Sequence, residues 1–236
     1  LVISRDTGLG TDAAGTIVQG TVAGGGTLQL ENRFNGDVNV ANESVTINGF
    51  GVGGTRGALA NWDGNNTWGG NVNVASDSSI FVNADSLTIN GVISGAAGND
   101  ITKTGNGTLT IGGSSSNTFL GDANFHAGVT NLSKTGGAVA IPGNVNMGNG
   151  VSGQPWLRMT EDNQFGAGSV INFDNPWGQW TRFEVKGTQQ TVAGINSNDA
   201  GGVIQNSESG GGGNGVLTIN NTAVPTNVFT TTTQVD

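Results

Sequence analysis

The chain has no cysteine and no tyrosine, a single histidine (His126), and only 8 lysines and arginines among 236 residues. Without cysteine there is neither a disulfide framework nor a thiolate metal site. Against those 8 basic residues stand 17 acidic ones, for a net charge of -9. Phosphate backbones and anionic membrane surfaces require a basic patch, so nucleic acid is not an expected partner. No run approaches the roughly 18 apolar residues of a membrane helix, so no membrane insertion is expected. The chain shows neither a signal peptide nor an initiator methionine. Leu1 leads directly into strand-like sequence, as expected of a mature or excised piece of a longer precursor.

What the chain does have is glycine, 43 of 236 residues, with charged residues at only 11%. That composition usually marks low complexity. Here, however, Val, Leu, Ile and Phe alternate with polar residues nearly end to end, the period-two signal of half-buried strands. The clearest stretch is ITKTGNGTLTIGGSSSNTFLGDANFHAGVTNL at 101–132, with alternating segments at 108–111, 123–125 and 129–132. Gly, Asn and Ser separate them and supply the positive-φ turn positions. Strands this short cannot hold a core alone, so the unit is expected to stack on copies of itself.

Internal repeats support stacking. GDVNV at 36–40 recurs as GNVNV at 70–74, GDANF at 121–125 and GNVNM at 143–147. The first three copies share a lead-in: Asn32, Arg33 and Phe34; Asn66, Thr67 and Trp68; Asn117, Thr118 and Phe119. A second motif, SVTING at 44–49, returns as SLTING at 86–91 and echoes at 108–112 and 216–220. The copies are expected to occupy equivalent stations on different turns. Asn39, Asn73, Asn124 and Asn146 recur in register, either as a stacked side-chain ladder or as solvent-facing residues. The copies are unevenly spaced, which fits a degenerate solenoid and not a propeller of equal blades. The longest insert, FGVGGTRGALANWDGN at 50–65, has no strand pattern and is expected to bulge outward.

The pattern TKTGNGTLTIxG followed by NTFxG resembles the autotransporter-associated β-strand repeat of large bacterial surface proteins, over about residues 30–222. That resemblance implies a right-handed parallel β-helix. With roughly 20–25 residues per turn, the expectation is an all-β solenoid of about ten turns, roughly 50 Å long at about 4.8 Å per turn. It forms one elongated domain over 1–236: N-terminal turns at 1–31, the clearest repeats at 32–147, divergent repeats at 148–222 and a terminal strand at 223–236.

Candidate sites are few. His126 sits at a strand-to-turn junction with Asp122 four residues back and serines at 114–116. No G-x-S-x-G elbow accompanies it, so an exposed turn histidine is expected. Hydrolases and polysaccharide lyases built on β-helices form the competing enzyme class. Adjacent aspartates and a Gly-His-Gly, which mark the hydrolases, do not occur. Arg158 with Glu161 and Asp162 is the best local match to a lyase, and a solvated loop is the plainer reading. GAAGNDI at 95–101 is one substitution from the calcium-binding G-G-x-G-x-D nonapeptide. Each copy supplies only half a ligand set, and one copy is present, so neither metal nor cofactor is expected.

Of five tryptophans, Trp68 fills the position of Phe34 and Phe119 and is expected to stack inside. Trp177 and Trp180 are the freer pair and the candidates for glycan contact. Assembly through open solenoid ends would use Leu1, Val2 and Ile3 at one end and Val228 and Phe229 at the other. The sequence thus reads as an extracellular or cell-surface structural or adhesive solenoid without enzymatic activity. Its expected partners are further copies of itself and a glycan or surface receptor.

Overall fold

A computed structural model describes residues 1–11, 13–33, 36–150, 153–175, 180–197, 201–206 and 213–220. Among them are twenty-five short strands and one 3₁₀ turn, Val52–Gly54. All strand pairings are parallel except a hairpin between Gly20–Thr21 and Gly24–Gly25. The fold is a parallel β-solenoid in which each turn passes three strand stations.

The first face stacks Val2–Ile3, Leu28–Leu30, Leu59–Asn61, the second half of Val72–Val82, Ile101–Thr104, Ala123–Phe125, Val145–Met147, Val170–Phe173 and Gly194–Ser197. The second face stacks Asn39–Val40, Asn65–Trp68, Ser86–Ile89, Thr108–Ile111, Val129–Leu132, Trp156–Met159, Thr181–Glu184 and Gly202–Gln205. The third begins with Thr16–Val18 and Val45–Gly49, then takes the first half of Val72–Val82, Ile93–Gly95 and Thr118–Phe119. It continues through an Ile141–Phe165 bridge and ends with Gln189–Val192 under Val216–Ile219. The eight strands of the second face count about eight turns, against the ten expected. Partners one rung apart are 21 residues apart from Trp68 to Ile89, but 28 from Val40 to Trp68. The longer turns account for the difference.

Alternation decides what is inside. Leu87 lies beside Leu109 and Ile89 beside Ile111 on adjacent rungs, all four buried. Val72 is buried as well. One apolar cluster runs from Ile3 to Ile195 and encloses Trp68, Phe119, Phe173 and Phe183. Parallel, in-register stacking puts like side chains above one another, so each rung completes the burial of its neighbours.

Corners break the backbone ladder, and side chains take it over. Asp77 Oδ1 accepts the Asp100 N–H at 3.0 Å, and Asp100 Oδ1 accepts the Asp122 N–H at 2.8 Å. Inside, buried Asn117 accepts the Ile93 N–H at 2.9 Å and donates to the Ala140 carbonyl at 2.8 Å, linking the turn below to the turn above. The buried Asn117 amide is thereby paired on both its oxygen and its nitrogen, whereas the Trp68 indole N–H is buried without a hydrogen-bond partner among the described residues. The motif glycines belong to the same corners: a Cβ at Gly70 would collide with the Glu43 carbonyl, and one at Gly121 with the Asn99 carbonyl.

Two expectations about the repeats are corrected. The copies at 36–40, 70–74 and 121–125 lie on the second, third and first faces respectively, and only those at 121–125 and 143–147 share a face. The repeated unit is one corner plus one strand, a third of a turn, and the same local sequence serves any side. Orientation does hold: Val38, Val72 and Ala123 all point inward. Trp68 and Phe119 are fully buried on different faces, and Phe34 lies outside the described residues. The segment 50–65 does not simply bulge. It contains the buried strand Leu59–Asn61, paired with Leu28–Leu30 and with Val72–Val82.

Candidate functional site

The outward positions of the second face form two straight rows. Asn65, Ser86, Thr108, Val129, Trp156 and Arg182 make one, and Thr67, Thr88, Thr110, Asn131, Arg158 and Glu184 the other. Four rungs of small neutral residues thus end in a patch of aromatic and charged ones. There the Arg158 guanidinium carbon lies 3.5 Å from the Trp156 ring centroid, and that of Arg182 lies 5.1 Å from it. Arg158 Nε lies 3.0 Å from Glu184 Oε2. Register produces this arrangement, since Trp156 pairs with Arg182 and Arg158 with Glu184 across one rung. Such cross-strand pairs stabilise the sheet. Trp180 immediately precedes Thr181–Glu184 and is 55% exposed.

An exposed indole such as that of Trp180 can stack on the apolar face of a sugar, and guanidinium groups can donate to a sugar's oxygens. Catalysis asks for more. A glycosidase places two carboxyl groups across the scissile bond, but the Glu184 carboxylate is 4% exposed and engaged by Arg158. Arg158 therefore does not join Glu161 and Asp162, which lie in an exposed turn where Asp162 Oδ1 accepts the Gln189 N–H at 2.8 Å.

The other candidates are also placed. His126 is half-buried and not the exposed turn residue expected; its backbone N–H donates to the Lys103 carbonyl at 3.0 Å, and burial lowers the imidazole pKa. In the calcium-like segment, Asn99 donates to the Val74 carbonyl at 3.0 Å while Asp100 serves the corner ladder. Among the described residues no group of three or more His, Asp or Glu could hold a metal ion. Leu1 and Val2 are exposed, 72% and 44%, whereas the alternation of their strand turns the Ile3 side chain into the core. Trp177, Val228 and Phe229 lie outside the described residues.

Two buried cations escaped the sequence reading. Lys103 is 2% exposed at an inward position between Ile80 and Phe125. Burial lowers its pKa to about 7. Lys134 is fully buried, its Nζ donating to the Gly91 carbonyl at 3.3 Å, and burial lowers its pKa to about 8. The usable signal was alternation: in ITKT, Lys103 falls on the same side as Ile101. Beside Lys103 the interior leaves a void of about 10 Å³ lined by core residues, about one water in size and far below a ligand cavity.

Compared with protein-family models, curated proteins and solved structures, the chain matches none of them.

Proposed function

We propose that this chain is a stiff structural and adhesive segment of a bacterial surface protein, exposed outside the cell, with a mechanical role and no catalytic one. The observation that carries this reading is the stacked column itself: eight parallel strands on the second face around one apolar cluster that runs from Ile3 to Ile195. The material invested in length and rigidity leaves the outer rows as the working surface. The repeat resemblance adds the bacterial surface setting and the right-handed winding. Contact with a glycan falls to the exposed Trp180, which precedes the strand carrying Arg182 and Glu184.

Head-to-tail association is part of the reading. Val2–Ile3 pairs only with Leu28–Leu30, and Thr16–Val18 only with Val45–Gly49 among the described residues. Each presents one unpaired edge to further parallel pairing, and a heterologous contact of this kind propagates as a filament. Exposed Leu1, Val2 and Ile17 lie on those edges.

The test is to display the chain on a non-adherent bacterium and measure retention on polysaccharide-coated and protein-coated surfaces. Raised retention supports the reading. Cleavage of acidic polysaccharides to unsaturated products, with calcium present, would overturn it.

A further inference from the structure

The Lys103 side chain ends in a cage of main-chain oxygens. Its Nζ donates to the carbonyls of Gly105 at 2.6 Å, Gly107 at 2.8 Å and Ala127 at 2.8 Å. Two acceptors belong to the corner that leaves its own strand, and the third to the corner one turn later. An ammonium has three N–H donors and no acceptor, so donors and carbonyls match in number. The cage is also tight on the side of Gly128. Gly128, with φ of 68°, sits against it, and a Cβ there would lie 2.5 Å from Nζ and 2.6 Å from the Gly105 and Gly107 oxygens. Only a residue without a side chain at 128 leaves the ammonium its room.

We propose that this corner is a binding site for a primary ammonium ion, and that Lys103 supplies the ligand from within the chain. Three converging carbonyl oxygens create a region of negative potential at the end of an inward-pointing side chain, and partial charges there act through a low dielectric. Left empty, the buried Gly107 oxygen and the partly buried oxygens of Gly105 and Ala127 would lose this partner, which costs free energy most of all for the buried one. Tethering the cation to the adjoining strand makes occupancy independent of solution ions and ties two successive turns together. Lys134 is the contrast: its single acceptor lies at 3.3 Å, so it fills no cage.

The site makes a sharp chemical prediction. Lys103→Ala removes three methylenes and the ammonium, the outline of n-propylammonium. At pH 6, Lys103→Ala should unfold at lower temperature than the parent chain, and n-propylammonium chloride should restore at least half of the lost midpoint in a saturable manner. Tetramethylammonium chloride, which has no N–H, should restore nothing. Neither salt should act on the parent chain, and Lys134→Ala should show no preference between them. Equal effects of both salts on Lys103→Ala, or equal effects on all three proteins, would overturn the proposal. A measurement on the parent chain stands apart from variant folding: nitrogen NMR at pH 6 should show a slowly exchanging Lys103 ammonium coupled to the carbonyl carbons of Gly105, Gly107 and Ala127. A rapidly exchanging signal without those couplings contradicts it.

Discussion

Asn172 Nδ2 donates to Asn146 Oδ1 at 2.8 Å across one rung of the first face. Asn146 in turn donates to Asn124 at 2.8 Å, and Asn196 donates to Asn172 at 2.9 Å, so four amides form one continuous outer ladder. The two inner amides, Asn146 and Asn172, each give and receive one of these bonds, which only stacking in register permits. Asn39 and Asn73 share the sequence motif but stand on other faces, outside this ladder.

Asn146→Ala therefore removes two ladder bonds at once. The expected loss is about 1–3 kcal/mol, from about 0.5–1.5 kcal/mol per bond. Asn73→Ala, at an exposed position, should stay within about 0.5 kcal/mol of the parent chain. Urea unfolding of both variants measures the difference.

Leu109 lies between Leu87 and Thr130 on the inner side of the second face, 2% exposed. Leu109→Ala should cost about 2–5 kcal/mol, as buried leucines do generally. A change below about 0.5 kcal/mol in chemical denaturation would place this strand one residue out of register.

Stability should rise with pH from mildly acidic to alkaline conditions. Burial lowers the pKa of Lys103 to about 7 and of Lys134 to about 8, and lowers that of His126. Unfolded lysines hold their protons to about pH 10. Between about 7 and 10 the unfolded state binds more protons than the folded one, so unfolding becomes harder as pH rises. The cost of burying the charge is full below the folded pKa and fades above it. His126 acts in the same direction below its unfolded value of about 6.5. The slope is at most about 1.4 kcal/mol per pH unit for each proton. Urea midpoints from pH 5 to pH 10 test this, and Lys103→Met should flatten the part above pH 7.

Trp180→Ala should leave stability within about 0.5 kcal/mol, because the indole is largely exposed and makes little buried contact. It should nevertheless lower retention of displaying cells on glycan surfaces. Unchanged retention would remove Trp180 from the adhesive surface.

Much of this architecture was legible in the sequence, for a physical reason. Period-two alternation fixes which residues turn inward, so Val72, Leu87, Leu109 and Ile111 could be assigned to the core without any knowledge of topology. Which side of the solenoid a strand occupies was not legible, since GDVNV and GNVNV build the same corner and strand on any face. Leu59–Asn61 was missed because all three of its residues are buried, which erases the alternation. The Lys103 cage was hidden because one of its acceptors, Ala127, arrives from the next turn. The patch around Trp156 likewise depends on register, which brings Arg182 and Glu184 beside residues 26 positions earlier.

In-register stacking of successive turns underlies every part of this account, and paired cysteines test it directly in a chain that has none of its own. Thr110 and Asn131 are outward partners on adjacent rungs, whereas Thr130 on that rung is buried, 2% exposed. Adjacent strands lie about 4.8 Å apart, within the Cα separation of about 4.4–6.8 Å that a disulfide spans. The variant carrying Thr110→Cys and Asn131→Cys should form an intramolecular disulfide under mild oxidation, while Thr110→Cys with Thr130→Cys should remain reduced. Cross-linking of the second pair in preference to the first would contradict the stacked solenoid.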